Sequence, residues 1–338
     1  MFHSKTSEQL TPINTICLII IAASAAMWVL VYTKSILMPF IIAVFFVMVI
    51  NTVAKWMNHK WKTPYWLGLL ACFLAFMALT TLAVSFITNS IESFVNGAGI
   101  YTDRLNDSID WVLAKAQNYH ININAQFVNE TVTKLPVFNM VKSVGSLVVS
   151  ILTNILLILL FVIFILMGNA AAEKPEFVST IQRKISFYLI VKISVSLLAA
   201  VLTWVVLASV RAELASMLAV LTFILNFIPN LGPSIATLLP VPVLFLQYGF
   251  DWHIMLVLCL LVALHFVIGN ILETRWLGKG MDLDPIVVVA SLIFWALVWG
   301  AMGALLAVPL TAIIKMVLEQ HATTLPIAKI LGGNFLLK

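Results

Sequence analysis

His265, Gly269 and Glu273 follow one another at steps of four along an otherwise apolar run, so a helix carries all three on roughly one face. A histidine takes up and releases protons near neutral pH, and a carboxylate holds a proton or a cation. Lys192 places an ammonium in another apolar run. These three titratable groups, Glu273, His265 and Lys192, are candidates for handling a coupling ion. A second constellation is "NFIPNLGP". There Asn226, Pro229, Asn230, Gly232 and Pro233 offer amides and broken backbone to a polar solute, and Asn270 in the later run joins them as a candidate contact. Each group also has a structural reading. His265 suits a hydrogen-bonded interior histidine, Glu273 a boundary residue paired with Arg275, and Lys192 a side chain snorkelling to the interface from two turns inside its helix.

The elements that position these residues follow from composition. Of 338 residues, 62% are hydrophobic and 10% charged, against roughly 25% charged in soluble domains. Several runs reach the roughly 20 residues that cross a hydrocarbon core of about 30 Å. The chain is therefore an all-α, polytopic membrane protein. The net charge of +5 fits basic loops on one side of a membrane better than nucleic-acid binding, since no basic block with interleaved aromatics occurs. Cys17, Cys72 and Cys259 stand alone, without the spacing of a zinc site or a disulfide framework. The N-terminal "ICLIII" and "AASAA" resemble a signal peptide, but the apolar character continues to Tyr32, which favours a retained membrane helix.

About six full spans are expected in three regions. Residues 1–88 hold three helices: about Thr15 to Tyr32, a run to about Ala54, and Tyr65 to Thr88. Between the last two lies "KWMNHKWKT", with Lys55, Lys60 and Lys62 and no acidic partner, a cytoplasmic loop by the positive-inside rule. Residues 89–143 are the polar part. Ile91, Phe94, Val95, Ala98, Leu105, Ile109 and Val112 recur mostly at steps of three and four, the mark of an amphipathic helix that serves as a packing arm or as a lid. Residues 144–338 hold helix four (Val144 to Met167), a loop with Lys174, Arg183 and Lys184, helix five (Phe187 to Ser209) and the remaining runs. Arg275, Lys279 and Lys329 place both termini on the cytoplasmic side.

Leu214 to Ile228 supplies only about 22 Å of helix at ~1.5 Å per residue, short of the core. "PNLGP" stops it, and a second limb, Ser234 to Tyr248, carries Pro240 and Pro242. This pattern predicts a re-entrant hairpin over 213–250. Unsatisfied backbone is expensive in lipid, so such a tip must face protein or a polar cavity. Free carbonyls ending the first limb suit a cation, and free N–H groups opening the second suit a polar oxygen. A second interrupted hairpin is expected over 285–318, broken by "WGAMGA". Two such devices in one chain are the pattern of secondary transporters; two kinked helices whose Gly and Pro serve packing are the alternative.

"NFIPNLGPSIATLLP" and the stretch from "GNILETRWLGKGMDLDP" to "LLAVPLTAIIK" resemble the autoinducer-2 exporter-like permeases of bacterial inner membranes, as do "MPFIIAVFFVMVINTV" and "FILMGN". The likeness spans nearly the whole chain and is weakest over 89–142. One departure is "ETRWLGKG", where many relatives carry a proline at the position of Thr274 or Arg275; it weakens a cation site built from carbonyls there. The resemblance implies export of a small polar solute, a furanone-type quorum signal, driven by a proton or sodium gradient. It also implies a homo-oligomer, with a pentamer as the expected form; no cofactor is expected.

Sodium or potassium/proton antiport is the second transport reading, weakened by the lack of an acid at the middle of any apolar run. A membrane scaffold is a third. A glycine-rich phosphate loop, an H-E-x-x-H cluster and a nucleophile elbow are all missing from the sequence, which disfavours an enzyme or an ATP-driven pump.

Overall fold

The computed structural model describes residues 12–96, 154–168, 175–229, 231–248, 252–277 and 283–333. Asn230, Lys174, Lys279, Lys338, the start of helix four and residues 97–143 of the polar region lie outside them. The described residues contain helices and no strand. Among the described residues, five helices are long and apolar enough to cross a membrane: Lys34–Trp61, Tyr65–Glu92, Glu176–Ser209, Ile254–Leu277 and Ala301–Leu318.

Helix α1 (Pro12–Tyr32) meets α2 (Lys34–Trp61) at Thr33. The basic "KWMNHKW" is helical, contrary to the loop expected there. Lys60 lies over the Trp56 ring one turn back, 4.9 Å from its centroid, and nothing stops the helix until Lys62 turns left-handed at φ 53 and Pro64 follows. Helix α3 (Tyr65–Asn96) returns. The Tyr65 hydroxyl donates to Asn51 Oδ1, and Gly68 lets α3 approach Ala54 so closely that a Cβ there would sit 3.1 Å from the Ala54 backbone. The third helix thus runs on past Thr88. The expected 88/89 boundary falls inside α3, and Ile91 packs onto the core rather than onto a separate surface helix.

Helix α4 (Ile155–Gly168) packs on α2, and α5 (Glu176–Ser209) is the axis of the molecule. It contacts α2, both hairpins and the long C-terminal span. Helix α5 starts at Glu176 rather than at Phe187, because Pro175 provides an extended entry (φ −51, ψ 145) and Glu176 an acid in the first turn, where it complements the helix dipole. Ser186, donating to the Met48 carbonyl at 3.0 Å, ties it to α2.

The first hairpin comprises α6 (Ala215–Leu225), α7 (Leu231–Leu238) and α8 (Pro240–Tyr248). At ~1.5 Å per residue α6 is about 16 Å long, so it stops well inside a bilayer. Its base is closed by its own far end. Gln247 Nε2 donates to the Arg211 carbonyl at 2.9 Å, the Glu213 N–H donates to Gln247 Oε1 at 3.2 Å, and the Tyr248 hydroxyl donates to the Val210 carbonyl. Chain entry and exit therefore sit at one level, as a re-entrant hairpin requires. Pro240 opens α8 at its first position, where a missing N–H costs little.

Helix α9 (Trp252–Phe266) passes through a π-helical stretch, Val267–Glu273, into the single turn α10 (Thr274–Leu277). The second hairpin pairs α11 (Pro285–Trp299) with α12 (Ala301–Leu318). Its break is confined to Gly300, at φ 67, ψ −148, a conformation open to glycine, instead of the whole of "WGAMGA". Its second limb is long enough to span. Trp295 Nε1 donates to Thr311 Oγ1 across the pair at 3.2 Å, and Trp299 Nε1 to the Leu30 carbonyl of α1 at 3.0 Å. Asp284 caps α11 by accepting from the Ile286 N–H at 2.8 Å, and its own N–H donates to the Leu331 carbonyl of α13 (Leu325–Leu331) at 3.1 Å.

Both hairpins close on a glycine. A Cβ at Gly232 would lie 1.9 Å from the Leu225 carbonyl oxygen, and one at Gly303 would lie 1.9 Å from the Trp295 carbonyl oxygen. Each glycine lets the second limb press onto the last turn of the first. We predict that Gly232→Ala or Gly303→Ala costs on the order of 3 kcal/mol, the upper range for overpacking. Gly168→Ala, with nothing within 4 Å, stays within about 1 kcal/mol of the parent. Thermal unfolding of the three variants in detergent measures this, and equal losses at all three would refute the close-contact account.

Candidate functional site

The tip of the first hairpin, the π-helical stretch and α5 enclose a cleft of 480 Å³. Pro229, Pro233, Ser234, Thr237 and Leu238 line it from the hairpin; Val262, His265 and Phe266 from α9; Gly269, Asn270 and Glu273 from the π stretch; and Lys192 from α5. The hairpin and the π stretch nearly touch. A Cβ on Gly269 would meet Pro233 Cγ at 3.7 Å, ordinary van der Waals contact.

Lys192, Pro229, Pro233, His265, Asn270 and Glu273, all picked out from the sequence, meet at this cleft. Gly232 is buried behind the tip against Leu225. Asn226 is 1% exposed; its Nδ2 donates to Ser196 Oγ of α5 at 3.0 Å, and its Oδ1 is buried without a protein partner. Ser234 and Thr237, not singled out from the sequence, add hydroxyls from α7. Their spacing of three in "GPSIATLLP" was the available signal, since residues three apart share a helix face.

The expected row of free carbonyls at the tip is largely used up. The Asn226 N–H donates to the Thr222 carbonyl at 2.9 Å, Phe227 to Ile224 at 3.2 Å, Ile228 to Leu225 at 2.8 Å and Gly232 to Ile228 at 3.0 Å. Tight turns thus satisfy the backbone within the hairpin, so the polar capacity of the site resides in its side chains.

Lys192 does not snorkel. Its side chain is 1% exposed, and its Nζ donates to Glu273 Oε1, whose side chain is 14% exposed. Glu273 therefore pairs across to α5 and not with Arg275, which is exposed. The cause is the continuation of the helix through the π stretch. Glu273 falls inside the apolar span Ile254–Leu277 and faces α5, rather than marking the end of the helix.

His265 is 4% exposed, and its neighbours fix its proton. Nδ1 lies 2.9 Å from the Leu261 carbonyl oxygen, which only accepts, and 3.1 Å from Thr237 Oγ1, whose own hydrogen goes to the Pro233 carbonyl at 2.8 Å. Neutral His265 therefore carries its hydrogen on Nδ1 and leaves Nε2 as a bare acceptor. Nε2 is buried with no partner among the described residues.

Removing one member of a buried ion pair strands the other, typically at about 3–5 kcal/mol, whereas removing both is often nearly neutral. Glu273→Gln strands the more deeply buried ammonium and is predicted to destabilise by about 3 kcal/mol or more. Lys192→Met leaves the more accessible carboxylate, which can protonate, and costs less. The double variant recovers most of the loss. Unfolding temperatures of all four proteins decide this, and additive losses in the double variant would rule out the pair.

The AI-2E family transporter profile matches residues 16–323. The chain is 27% identical over 313 residues to the "AI-2 transport protein TqsA" of Escherichia coli (strain K12), covering 89% of this chain and 90% of that one. It is 25% identical over 315 residues to a protein of Haemophilus influenzae provisionally named a transport protein, covering 88% and 90%. YhhT of Escherichia coli (strain K12), also provisionally named a transport protein, is 27% identical over 315 residues, covering 88% of each. With its multi-pass helical fold and a family match across nearly its whole length, the chain belongs to the AI-2E transporter family.

Proposed function

We propose that this transporter exports a small polar solute of the autoinducer-2 type from the cytoplasm of a bacterium, driven by an ion gradient across the inner membrane. The observation that carries this reading is the cleft itself. A broken-helix tip, two further helices, a balanced ion pair and an unpaired histidine nitrogen converge on one space of 480 Å³, within the 300–1,000 Å³ range, roughly, of small-molecule sites. The solute class is carried over from the printed name of the TqsA relative. The ammonium and carboxylate of Lys192 and Glu273 offset one another, which suits an uncharged solute. Asn270, Ser234 and Thr237 add donors and acceptors around it, and Asn226 and Ser196 brace the tip from behind. Lys55, Lys60, Lys62, Arg183 and Lys184 would face the cytoplasm, along with both termini.

Antiport of sodium or potassium against protons is the second reading, and one observation favours it. Glu273, towards the C-terminal end of the apolar span Ile254–Leu277, is a carboxylate inside the span, held there by a buried lysine. Such a carboxylate is a functional candidate by default.

Proteoliposomes loaded with an autoinducer-2-type furanone separate the readings. Export predicts efflux that depends on an imposed ion gradient and drops about tenfold or more, equal to about 1.4 kcal/mol, in Asn226→Ala and Glu273→Gln protein shown to be inserted. Antiport predicts that a sodium or potassium pulse changes lumenal pH without the furanone. Unchanged efflux in both variants would overturn the assignment of the cleft.

A further inference from the structure

We propose that His265 Nε2 is a single acceptor position used in turn by the exported solute and by the coupling proton, so that the two exclude each other. The inference rests on the export reading above and assigns its coupling step to one atom.

Three observations carry it. First, the proton of neutral His265 is held on Nδ1 by the Leu261 carbonyl at 2.9 Å, and the Thr237 hydroxyl cannot donate to the ring because it already donates to Pro233. Nε2 is thereby kept as a lone pair. Second, that lone pair is buried and has no donor among the described residues, although His265 lines the cleft. An unpaired buried acceptor is costly, and a solute hydroxyl donating to Nε2 removes that cost. Third, the other ionisable groups of the cleft are already engaged with each other, since Lys192 donates to Glu273. Elsewhere on α5, Tyr188 is buried in the cluster of the second hairpin. Helix α7 presents no titratable side chain, and the hydroxyl of Tyr248 on α8 donates to Val210 at the hairpin base. On the helix of His265 itself, Arg275 and Cys259 are exposed.

One lone pair accepts one hydrogen. With the cleft open to the cytoplasm, imidazolium releases its Nε2 proton inward and a solute hydroxyl donates to the vacated lone pair. With the cleft open to the outside, the solute leaves and an external proton takes its place. The Nε2–H bond is the one bond broken and re-formed, its proton going to cytoplasmic water and coming from external water, and each solute leaving is matched by one proton entering. Exchange therefore follows from occupancy of a single atom, which is buried in the present arrangement.

The test is binding of an autoinducer-2-type furanone to the purified full-length protein across about pH 8 to about pH 5, the range in which histidine titrates. Wild type should lose affinity on acidification, approaching about tenfold per pH unit once the ring is protonated, as exclusive competition requires. His265→Gln, which keeps an acceptor but no titration, should bind more weakly and with no pH slope. A flat wild type, or a slope retained in His265→Gln, overturns the proposal. Nitrogen-15 NMR of the histidine rings, assigned by difference with His265→Gln, supplies a measurement that needs no solute. The expected alkaline form has Nδ1 protonated and Nε2 bare, and acid adds a proton at Nε2. A ring found with its hydrogen on Nε2, or one that takes no proton over this range, also overturns it. Wild type that fails to bind the furanone but shows the expected ring titration counts against the solute assignment and for the acceptor role of Nε2.

Discussion

Backbone at membrane depth must find its hydrogen bonds within the protein, and the first hairpin shows what that requirement imposes. Helix α6 ends after about three turns, and its tip folds into tight turns that spend the N–H groups of Asn226, Phe227, Ile228 and Gly232 on carbonyls one turn back. The turns are compact because Gly232 lets α7 rest on the Leu225 carbonyl with no side chain between them. A satisfied tip can stop inside the molecule without a lipid-facing penalty. It is also why the cleft beneath is lined by side chains, since the peptide groups are already engaged.

Charge follows the same logic. An ammonium as buried as that of Lys192 would be costly alone, and Glu273 compensates it from the neighbouring element. The two residues are far apart in sequence, so the pair also fixes how the π stretch sits against α5. The π-helical stretch allows this because its wider turn carries Asn270 and Glu273 onto the cleft together with His265. π-helical segments are rare, occur mostly as single-turn bulges inside α-helices, and are frequent at functional sites. The result is a space with balanced charge and a buried, unpartnered histidine nitrogen, a setting for neutral polar chemistry in a chain whose other described helices expose mostly apolar side chains.

Much of this was legible in the residues, and the failures have physical causes. The membrane class, the two interrupted hairpins and six of the cleft residues followed from apolar run lengths, from "PNLGP" and from the steps of four in the His265 run. The partner of Glu273 was not legible. Pairing across helices depends on their rotation and on a local π register, and neither leaves a mark on periodicity. Lys192 was misread for the same reason, because a cation two turns inside a helix snorkels or pairs depending on what faces it. Helix ends were set too early, at about Ala54 and Thr88 where the helices run to Trp61 and Asn96, because polar composition was taken for loop, although Lys, Trp and Met sustain a helix well enough until a residue such as Lys62 breaks it. Ser234 and Thr237 were overlooked because the prolines and asparagines around them drew attention to the tip rather than to the limb below.

The central claim is that the space between the first hairpin and the π stretch is the solute path. Its most direct test places a thiol on Ser234, which is exposed in the cleft, in a background with Cys17, Cys72 and Cys259 replaced. A membrane-impermeant thiol reagent is then added with and without the furanone. The account predicts modification of the Ser234→Cys protein from the water phase, blocking of transport by the modification, and protection by the solute. A thiol that reacts only with a lipid-soluble reagent, or that reacts equally with and without solute while transport continues, would contradict it.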